Sequence, residues 1–264
     1  MLSAKNLSIT FNPGTAIETR ALRGLSLEIP AGQFVTVIGS NGAGKSTLLN
    51  AVSGDLSVDS GSIVIDGQDV TGQPVWTRAR QVARVFQDPM AGTCEDLTIE
   101  ENMALAYSRG QRRGLSLAVK SHMRGEFRER LATLGLGLEN RLGDRIGLLS
   151  GGQRQAVSLL MAALQPSRIL LLDEHTAALD PRTAQFVLEL TTRIVAENRL
   201  TTMMVTHSMR QALDVGERTV MLHQGDVVLD VAGPQRQGLD VPDLLVMFER
   251  VRGETISDDG LLLG

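Results

Sequence analysis

Cysteine is nearly absent, with Cys94 the single example in 264 residues. A lone thiol excludes an internal disulfide framework and fits a reducing compartment. No evident base pairs with it, so it reads as a loop thiol rather than a nucleophile. An excess of positive charge is also missing. Against 30 Asp and Glu stand 26 Lys and Arg, for a net charge of -4, which argues against a general nucleic-acid binder. No apolar run approaches the length of a membrane span. The first residues, Met1-Leu-Ser-Ala-Lys-Asn, lack the features of a secretory signal, so a soluble chain is expected, one that can still work against a membrane through a partner. Internal repeats and low-complexity segments are missing too. What remains is a chain with 42% hydrophobic residues. That suffices for one large domain, or for one with an inserted subdomain.

The clearest motif is Gly39-Ser40-Asn41-Gly42-Ala43-Gly44-Lys45-Ser46-Thr47, which reads G-x-x-x-x-G-K-[ST]. The apolar run 34–38 before it predicts a buried strand, and 48–52 after it predicts the start of a helix. Strand, glycine loop and helix form the context a phosphate-binding loop requires. The glycines let backbone N–H groups approach phosphate oxygens, and the helix N-terminus adds partial positive charge there. Lys45 is placed to reach the β- and γ-phosphates, and Ser46 to ligate Mg²⁺.

Residues 2–10 alternate in polarity with one slip near Asn6, and Leu25, Leu27 and Ile29 alternate again. Both predict half-buried antiparallel strands. Further strands are predicted at 62–66 and 82–86. From 88 to 148 strand-like runs disappear and helical spacing takes over at 98–107 and 116–134, so an all-helical insert is expected. Its basic residues include Arg109, Arg112, Arg113, Lys120, Arg124, Arg128 and Arg130. They make either a solvated helical face or a surface near anionic lipid or a partner. After Ser150 helices and strands alternate: helix 152–164, strand 168–172, helix 181–197, strand 201–205, helix 209–215. Asp180-Pro181 opens the long helix as N-cap and N1. Gln224-Gly225 predicts a hairpin turn, and 242–252 a terminal helix. The tail 253–264 is expected to be poorly ordered.

Three strand ends supply further chemistry. Ile169-Leu-Leu-Leu-Asp173-Glu174 ends in two carboxylates, and parallel-sheet ligands gather at such ends. Asp173 can hold Mg²⁺ through water, and Glu174 can polarise a water for attack on a γ-phosphate. His207 ends a second apolar strand and can bond the γ-phosphate or the water. Gln87 follows a third, where it can reach Mg²⁺ and water and hinge the insert. Ser150 and Gln153 form a capping-box pattern, as do Ser208 and Gln211. Capping accounts for the second pair in full. At the first, Gly151 and Gly152 also bare a helix N-terminus for an anion, as for a nucleotide held by another subunit.

In order along the chain, these residues resemble an ATP-binding-cassette ATPase, the nucleotide-binding subunit of an ABC transporter. The resemblance covers nearly the whole chain. It takes Gly39–Thr47 as Walker A, Gln87 as the Q-loop, Leu149–Gln153 as the signature and Ile169–Glu174 as Walker B. Ala178-Leu-Asp180 matches the D-loop and His207 the switch histidine. It implies an α/β fold: a P-loop NTPase (RecA-like) core with an antiparallel β subdomain and an inserted α-helical subdomain. The expected division is 1–87 for the β subdomain and first part of the core, 88–148 for the insert, 149–235 for the rest of the core and 236–264 for an extension.

The resemblance further implies ATP and Mg²⁺, and a sandwich of two copies with each ATP between Walker A of one and Ser150–Gln153 of the other. Glu174, His207, Gln87 and Lys45 would be catalytic, Ser46, Gln87 and Asp173 would serve the metal, and Asp180 would lie beside the nucleotide. Phe11 stands where the family stacks an aromatic on adenine, although Asn12-Pro13-Gly14 is an unusual neighbour and a core Phe is the alternative. The family usually has Glu-Pro-Thr after Walker B, whereas this chain has Glu174-His175-Thr176. His175 is either a loop-packing residue or an extra metal or phosphate ligand.

Together with Glu174-His-Thr-Ala-Ala-Leu-Asp180, the stretches Gln153–Ala162 and Asp240–Phe248 are similar to a bacterial importer subgroup that pairs with a periplasmic binding protein and a separate permease. Some of its members are assigned to aromatic amino acids or related small solutes. An ATPase subunit does not touch the solute, so no residue here names it. The implied location is cytoplasmic, peripheral on the inner face of the cell membrane. Exporter or lipid-extraction ATPases and soluble cluster-assembly ATPases share these motifs. A purely regulatory nucleotide-binding module would not need Glu174.

Overall fold

The computed structural model describes residues 1–111 and 119–252. Arg112, Arg113, the expected helix start at 116 and the tail 253–264 lie outside the described residues. The chain begins with β1 (Leu2–Phe11), β2 (Thr19–Ile29), β3 (Phe34–Ile38), α1 (Lys45–Ser53), β4 (Ser60–Ile65), β5 (Gln68–Asp69) and α2 (Val75–Arg78). It continues with β6 (Val82–Val85), α3 (Ile99–Tyr107), α4 (Ser121–Ala132), α5 (Gly151–Ala163), β7 (Ile169–Asp173) and α6 (Pro181–Asn198). Last come β8 (Thr201–Val205), α7 (Met209–Asp214), β9 (Arg218–His223), β10 (Asp226–Ala232) and α8 (Val241–Arg252). Among the described residues no helix is long and apolar enough to cross a membrane.

The chain divides into two compact units, Met1–Arg78 together with the chain from Leu200 onward, and Ala79–Arg199. The first unit holds an antiparallel sheet in the order β2-β1-β4-β5. The slip read near Asn6 is real: the β1–β2 register shifts between Ala4 and Leu7, and Asn6 takes a left-handed φ of 51°. An extra residue there keeps Leu2, Ala4, Leu7 and Ile9 on the buried face.

The same unit contains a second group of strands. β3 pairs in parallel with β8 on one side and β9 on the other. All five residues of β3 and all five of β8 are buried. Strands covered on both faces read as continuous apolar runs rather than alternating ones. The hairpin expected at Gln224-Gly225 forms: both residues have positive φ, 48° and 85°, and β9 pairs antiparallel with β10. Such φ values suit the turn whose twist matches that of the strands. Leu244 and Phe248 of α8 join Met209, Ala212 and Val231 in one apolar cluster.

In the second unit β6 and β7 pair in parallel, and α3, α4, α5 and α6 supply the rest. The entry and exit of the helical segment are tied by backbone bonds. Ile99 N donates to Asp144 O, Ile146 N to Leu97 O, and Gly147 N to Glu95 O, at 2.9, 3.0 and 3.1 Å. Asn102, buried at the start of α3, clamps the loop before it. Its Nδ2 donates to Cys94 O and Thr98 O, and its Oδ1 accepts from Cys94 N.

The basic residues of the insert correct the picture of one uniform face. Arg109 turns inward and donates to Ala162 O and Gln165 O at 3.2 and 2.8 Å, at the end of α5. Burial holds its pKa below the ordinary arginine value. Arg124 forms a two-pronged pair with Glu100 at 2.7 and 2.9 Å, while Lys120, Arg128 and Arg130 are exposed.

Candidate functional site: a phosphate loop and a set of strand-end carboxylates

The first unit carries the phosphate loop. Gly44 caps α1 with φ 101°, and a β-carbon on it would press against Ala21 O at 2.7 Å. Gly39 leaves no such space either, because Leu222 O occupies it. These two glycines are required by backbone shape and by the close approach of neighbouring chain. Ala43 O accepts from Gly225 N at 3.0 Å, so the hairpin turn braces the loop. Lys45 is buried and its Nζ donates to Gly39 O and Ser40 O at 2.6 and 3.1 Å. Its ammonium is thereby held over the loop that it also helps to fold. Ser46, next in α1, is exposed.

The far end of α1 is held by a residue the sequence did not single out. Arg78 Nη1 donates to Ala51 O and Val52 O at 2.5 and 3.2 Å, and Nη2 to Thr71 O at 2.8 Å. A cation among the last carbonyls of a helix satisfies orphan acceptors and suits the helix dipole. Burial lowers the Arg78 pKa, with Asp55 and Asp69 opposing that effect.

His207 follows β8 and is half-buried. The capping expected at Ser208 is only half formed. Ser208 Oγ accepts from Gln211 N at 3.2 Å, but Gln211 Oε1 accepts from Thr206 Oγ1 at 3.0 Å. Ser208 N donates to Thr206 Oγ1 at 3.1 Å instead. A hydroxyl two residues back offers a shorter local loop than the box does. Arg236 gathers the carbonyls of Ala212, Leu213 and Val215 at the end of α7, at 2.8, 3.0 and 2.7 Å. Phe11, at the end of β1, is 37% exposed, so it is not a core residue.

The second unit carries the carboxylates. Asp173 ends β7, and Arg84 on β6 donates from Nη2 to its Oδ2 at 2.7 Å. Glu174 follows with a left-handed φ of 43°, a conformation unusual for a residue with a β-carbon and one that collects at functional sites. His175 is 2% exposed and bonds Thr191 Oγ1 on α6 through Nε2 at 2.9 Å. Thr191 Oγ1 itself donates to Val187 O at 2.8 Å, so the histidine supplies the proton and is the Nε2–H tautomer. Burial pushes its pKa down to about 4. These contacts make His175 a packing residue, the first of the two expected roles.

Gln87 lies exposed just past β6. The carbonyl before it, Phe86 O, accepts from Gln155 Nε2 of α5 at 3.1 Å, so α5 is bonded to the base of the Gln87 segment. At the start of α5 the capping box is complete. Ser150 Oγ accepts from Gln153 N at 3.3 Å, and Ser150 N donates to Gln153 Oε1 at 3.2 Å. The glycines between differ. A β-carbon on Gly151 would meet only Leu179 Cδ2 at 3.5 Å, whereas one on Gly152 would overlap Thr183 Cγ2. Gly152 therefore serves packing, and only Gly151 presents bare backbone. Arg154 steadies the turn before the helix by donating to Ile146 O and Gly147 O at 3.3 and 2.8 Å. Asp180 is spent locally, accepting from Thr183 N at 3.1 Å as N-cap of α6. That bonding to Thr183 holds its carboxyl below the usual range.

Each unit offers hard oxygen donors of the kind Mg²⁺ takes: the hydroxyl of Ser46 in the first, the amide oxygen of Gln87 and the carboxylate of Asp173 in the second. Among the described residues no three His, Cys, Asp or Glu side chains gather to bind a metal by themselves. Mg²⁺ needs no such cage, since it is commonly held by one or two carboxylates, water and substrate phosphates.

Residues 22–177 match the family described as ABC transporter. The chain is 44% identical over 249 residues to a tyrosine transport ATP-binding protein of Clostridioides difficile (strain R20291), covering 94% of this chain and 99% of that protein. It is 36% identical over 202 residues to the thiamine import ATP-binding protein ThiQ of Shigella flexneri serotype 5b (strain 8401), covering 76% and 82%. Among solved structures, a dimeric post-hydrolysis state of an ATP-binding cassette bound to ADP and Pi aligns with TM-score 0.75 at 29% identity, covering 88% of this chain and 98% of the other. The chain therefore belongs to the ABC transporter family. Within it, this is an ATP-binding subunit, an ATPase with an α/β P-loop fold.

Proposed function

We propose that the chain powers uptake of a small solute through a separate permease, as a peripheral subunit on the inner face of the cell membrane. Two copies close on ATP, and each nucleotide takes Walker A of one copy and Ser150–Gln153 of the other. Phe11 stacks on adenine. The backbone of Gly39–Thr47 and the Lys45 ammonium hold the phosphates, and Ser46, Gln87 and Asp173 hold Mg²⁺. When bound, Mg²⁺ would supply positive charge to offset that of the phosphates. Glu174 orients water in line with the γ-phosphate, and His207 and the Ser150 hydroxyl stabilise charge developing on it. Asp180 steadies the opening turn of α6 beside the nucleotide.

The observation that carries this reading is a division of labour. One helix N-terminus, at α1, is wrapped by a glycine loop with its own lysine. A second, at α5, is capped by Ser150 beside an uncrowded Gly151. The second has no lysine, as expected of a surface that covers a nucleotide held elsewhere. Bonds from Gln155 to Phe86 O and from Arg154 to the preceding turn then link that surface to Gln87 and to the segment 88–101. A cavity of about 300 Å³ lined by Phe86, Cys94, Arg109 and Ser158 borders this segment. We take it as the place where the permease docks, with a periplasmic binding protein delivering solute on the far side.

The test compares wild type with Glu174→Gln. The variant should bind ATP with Mg²⁺ and run as an ATP-dependent dimer in size-exclusion chromatography, with hydrolysis reduced on the order of a hundredfold or more. Normal turnover in Glu174→Gln would overturn the assignment of the base. Permease assembly and transport that survive charge reversal at both Glu95 and Asp96 would argue against the docking segment.

A further inference from the structure

The carboxylate assigned to the metal already has a cation. Arg84 reaches from β6 to Asp173 at the end of β7, Nη2 to Oδ2 at 2.7 Å, with side-chain exposures of 13% and 14%. Pairs this sheltered are held more firmly than surface ion pairs, because neither charge is well solvated and removing one partner strands the other. The guanidinium also lies over the Phe86 ring, 4.6 Å from its centroid, a contact that favours a cation independently of Asp173. Phe86 is in turn fixed through its carbonyl by Gln155. Among its partners, Arg84 thus has one at the metal position and one on the residue before Gln87.

We propose that Arg84 is the resident counter-ion of Asp173 and that Mg²⁺ arriving with ATP takes this carboxylate by displacing the guanidinium. This rests on the reading of Asp173 as a metal residue given above. Before nucleotide arrives, the arginine neutralises a sheltered carboxylate that would otherwise be costly to fold. Once displaced, it keeps the face of Phe86 and stays on the strand that leads to Gln87. Arg84 is then a positioning residue that makes metal entry an exchange of one cation for another. The site avoids a bare carboxylate in the empty state, and its affinity for metal is set below what Asp173 alone would give.

The experiment measures Mn²⁺ binding by EPR in the presence of ATP, in the Glu174→Gln background so that no turnover intervenes. Four proteins are compared: that background, and the same background with Arg84→Gln, Arg84→Lys or Asp173→Asn. Exchange predicts that Arg84→Gln binds Mn²⁺ roughly three- to tenfold more tightly, since no resident cation competes. Its metal-free thermal midpoint should fall. Arg84→Lys, whose compact ammonium pairs less well than a planar fork, should tighten Mn²⁺ binding by a smaller factor, about twofold. It also serves if the glutamine variant fails to fold. A purely structural Arg84 would lower the midpoint and leave Mn²⁺ affinity unchanged, which overturns the proposal, as does weaker binding in either arginine variant. Asp173→Asn separates the two levels. If it leaves Mn²⁺ affinity unaltered, the metal reading of Asp173 itself fails. If it weakens binding while Arg84→Gln does not tighten it, only the exchange fails.

Discussion

The Cγ2 methyl of Thr183, in the first turn of α6, fills the space that a β-carbon on Gly152 would need. Gly151, one residue earlier, meets no such obstacle. Two adjacent glycines at the head of α5 thus have different causes, and substitution can separate them. Gly152→Ala should cost about 1–3 kcal/mol through overpacking, read as a lower thermal midpoint. Thr183→Ser removes the offending methyl while keeping the backbone N–H that Asp180 caps, so the double variant should recover most of the loss. Gly151→Ala should fold normally, and any fall in its ATPase activity measures backbone approach to phosphate. A Gly152→Ala midpoint equal to wild type would contradict the packing assignment.

Arg78 links α1 to Thr71 with its side chain wholly buried. Arg78→Ala leaves the carbonyls of Ala51 and Val52 without their donor and opens a void, and should cost about 2–4 kcal/mol. Arg78→Met keeps the apolar stem and should lose less. Hydrogen exchange at Val52 to Gly54 is the local check. It should speed up in both variants, since fraying of the last turn follows the loss of donors rather than of volume.

His175 gives stability a pH dependence whose sign can be worked out. Its pKa is about 4 in the folded chain and about 6.5 in an unfolded one. Between those values the unfolded chain takes up a proton that the folded one refuses. The group's contribution is therefore complete above about pH 6.5 and declines as pH falls toward 4, by on the order of 3 kcal/mol. Urea midpoints of wild type and His175→Gln, measured from pH 4 to 7.5, isolate the effect. The glutamine amide can still donate to Thr191 but cannot titrate, so its profile should be flatter through that window. Parallel profiles would assign the slope to other groups.

Local pattern made much of the fold legible. The alternation of β1, its slip at Asn6, the apolar runs of β3, β7 and β8 and the Gln224-Gly225 hairpin all follow from spacing and turn chemistry. Elements too short for any period escaped, namely β5 with two residues and α2 with four. So did the first half of β2, where buried Ala21 and Leu22 stand side by side and break the alternation. Motif residues could be named because their chemistry is carried by type and spacing. The contacts that hold them could not. Arg84 meets Asp173 across 89 positions and Gln155 meets Phe86 across 69, and no local signal marks a pairing made by tertiary packing. Asp180 and Gly152 illustrate the converse, since their motif positions were evident while their immediate work, capping and clearance, emerged only from neighbours.

Arg236 has a consequence for where the chain can be cut. The boundary expected from the sequence falls between 235 and 236, at the head of the extension 236–264. Yet the guanidinium just beyond it collects three carbonyls at the end of α7 and bonds Thr219 Oγ1 at 3.1 Å, and Leu244 and Phe248 lie in the apolar cluster with Met209 and Ala212. A fusion or deletion made at that point would unfasten the short helix that follows His207 while leaving every motif residue in the sequence. The segment after β10 is therefore a splint rather than an appendage, and a permissive cut must fall after α8.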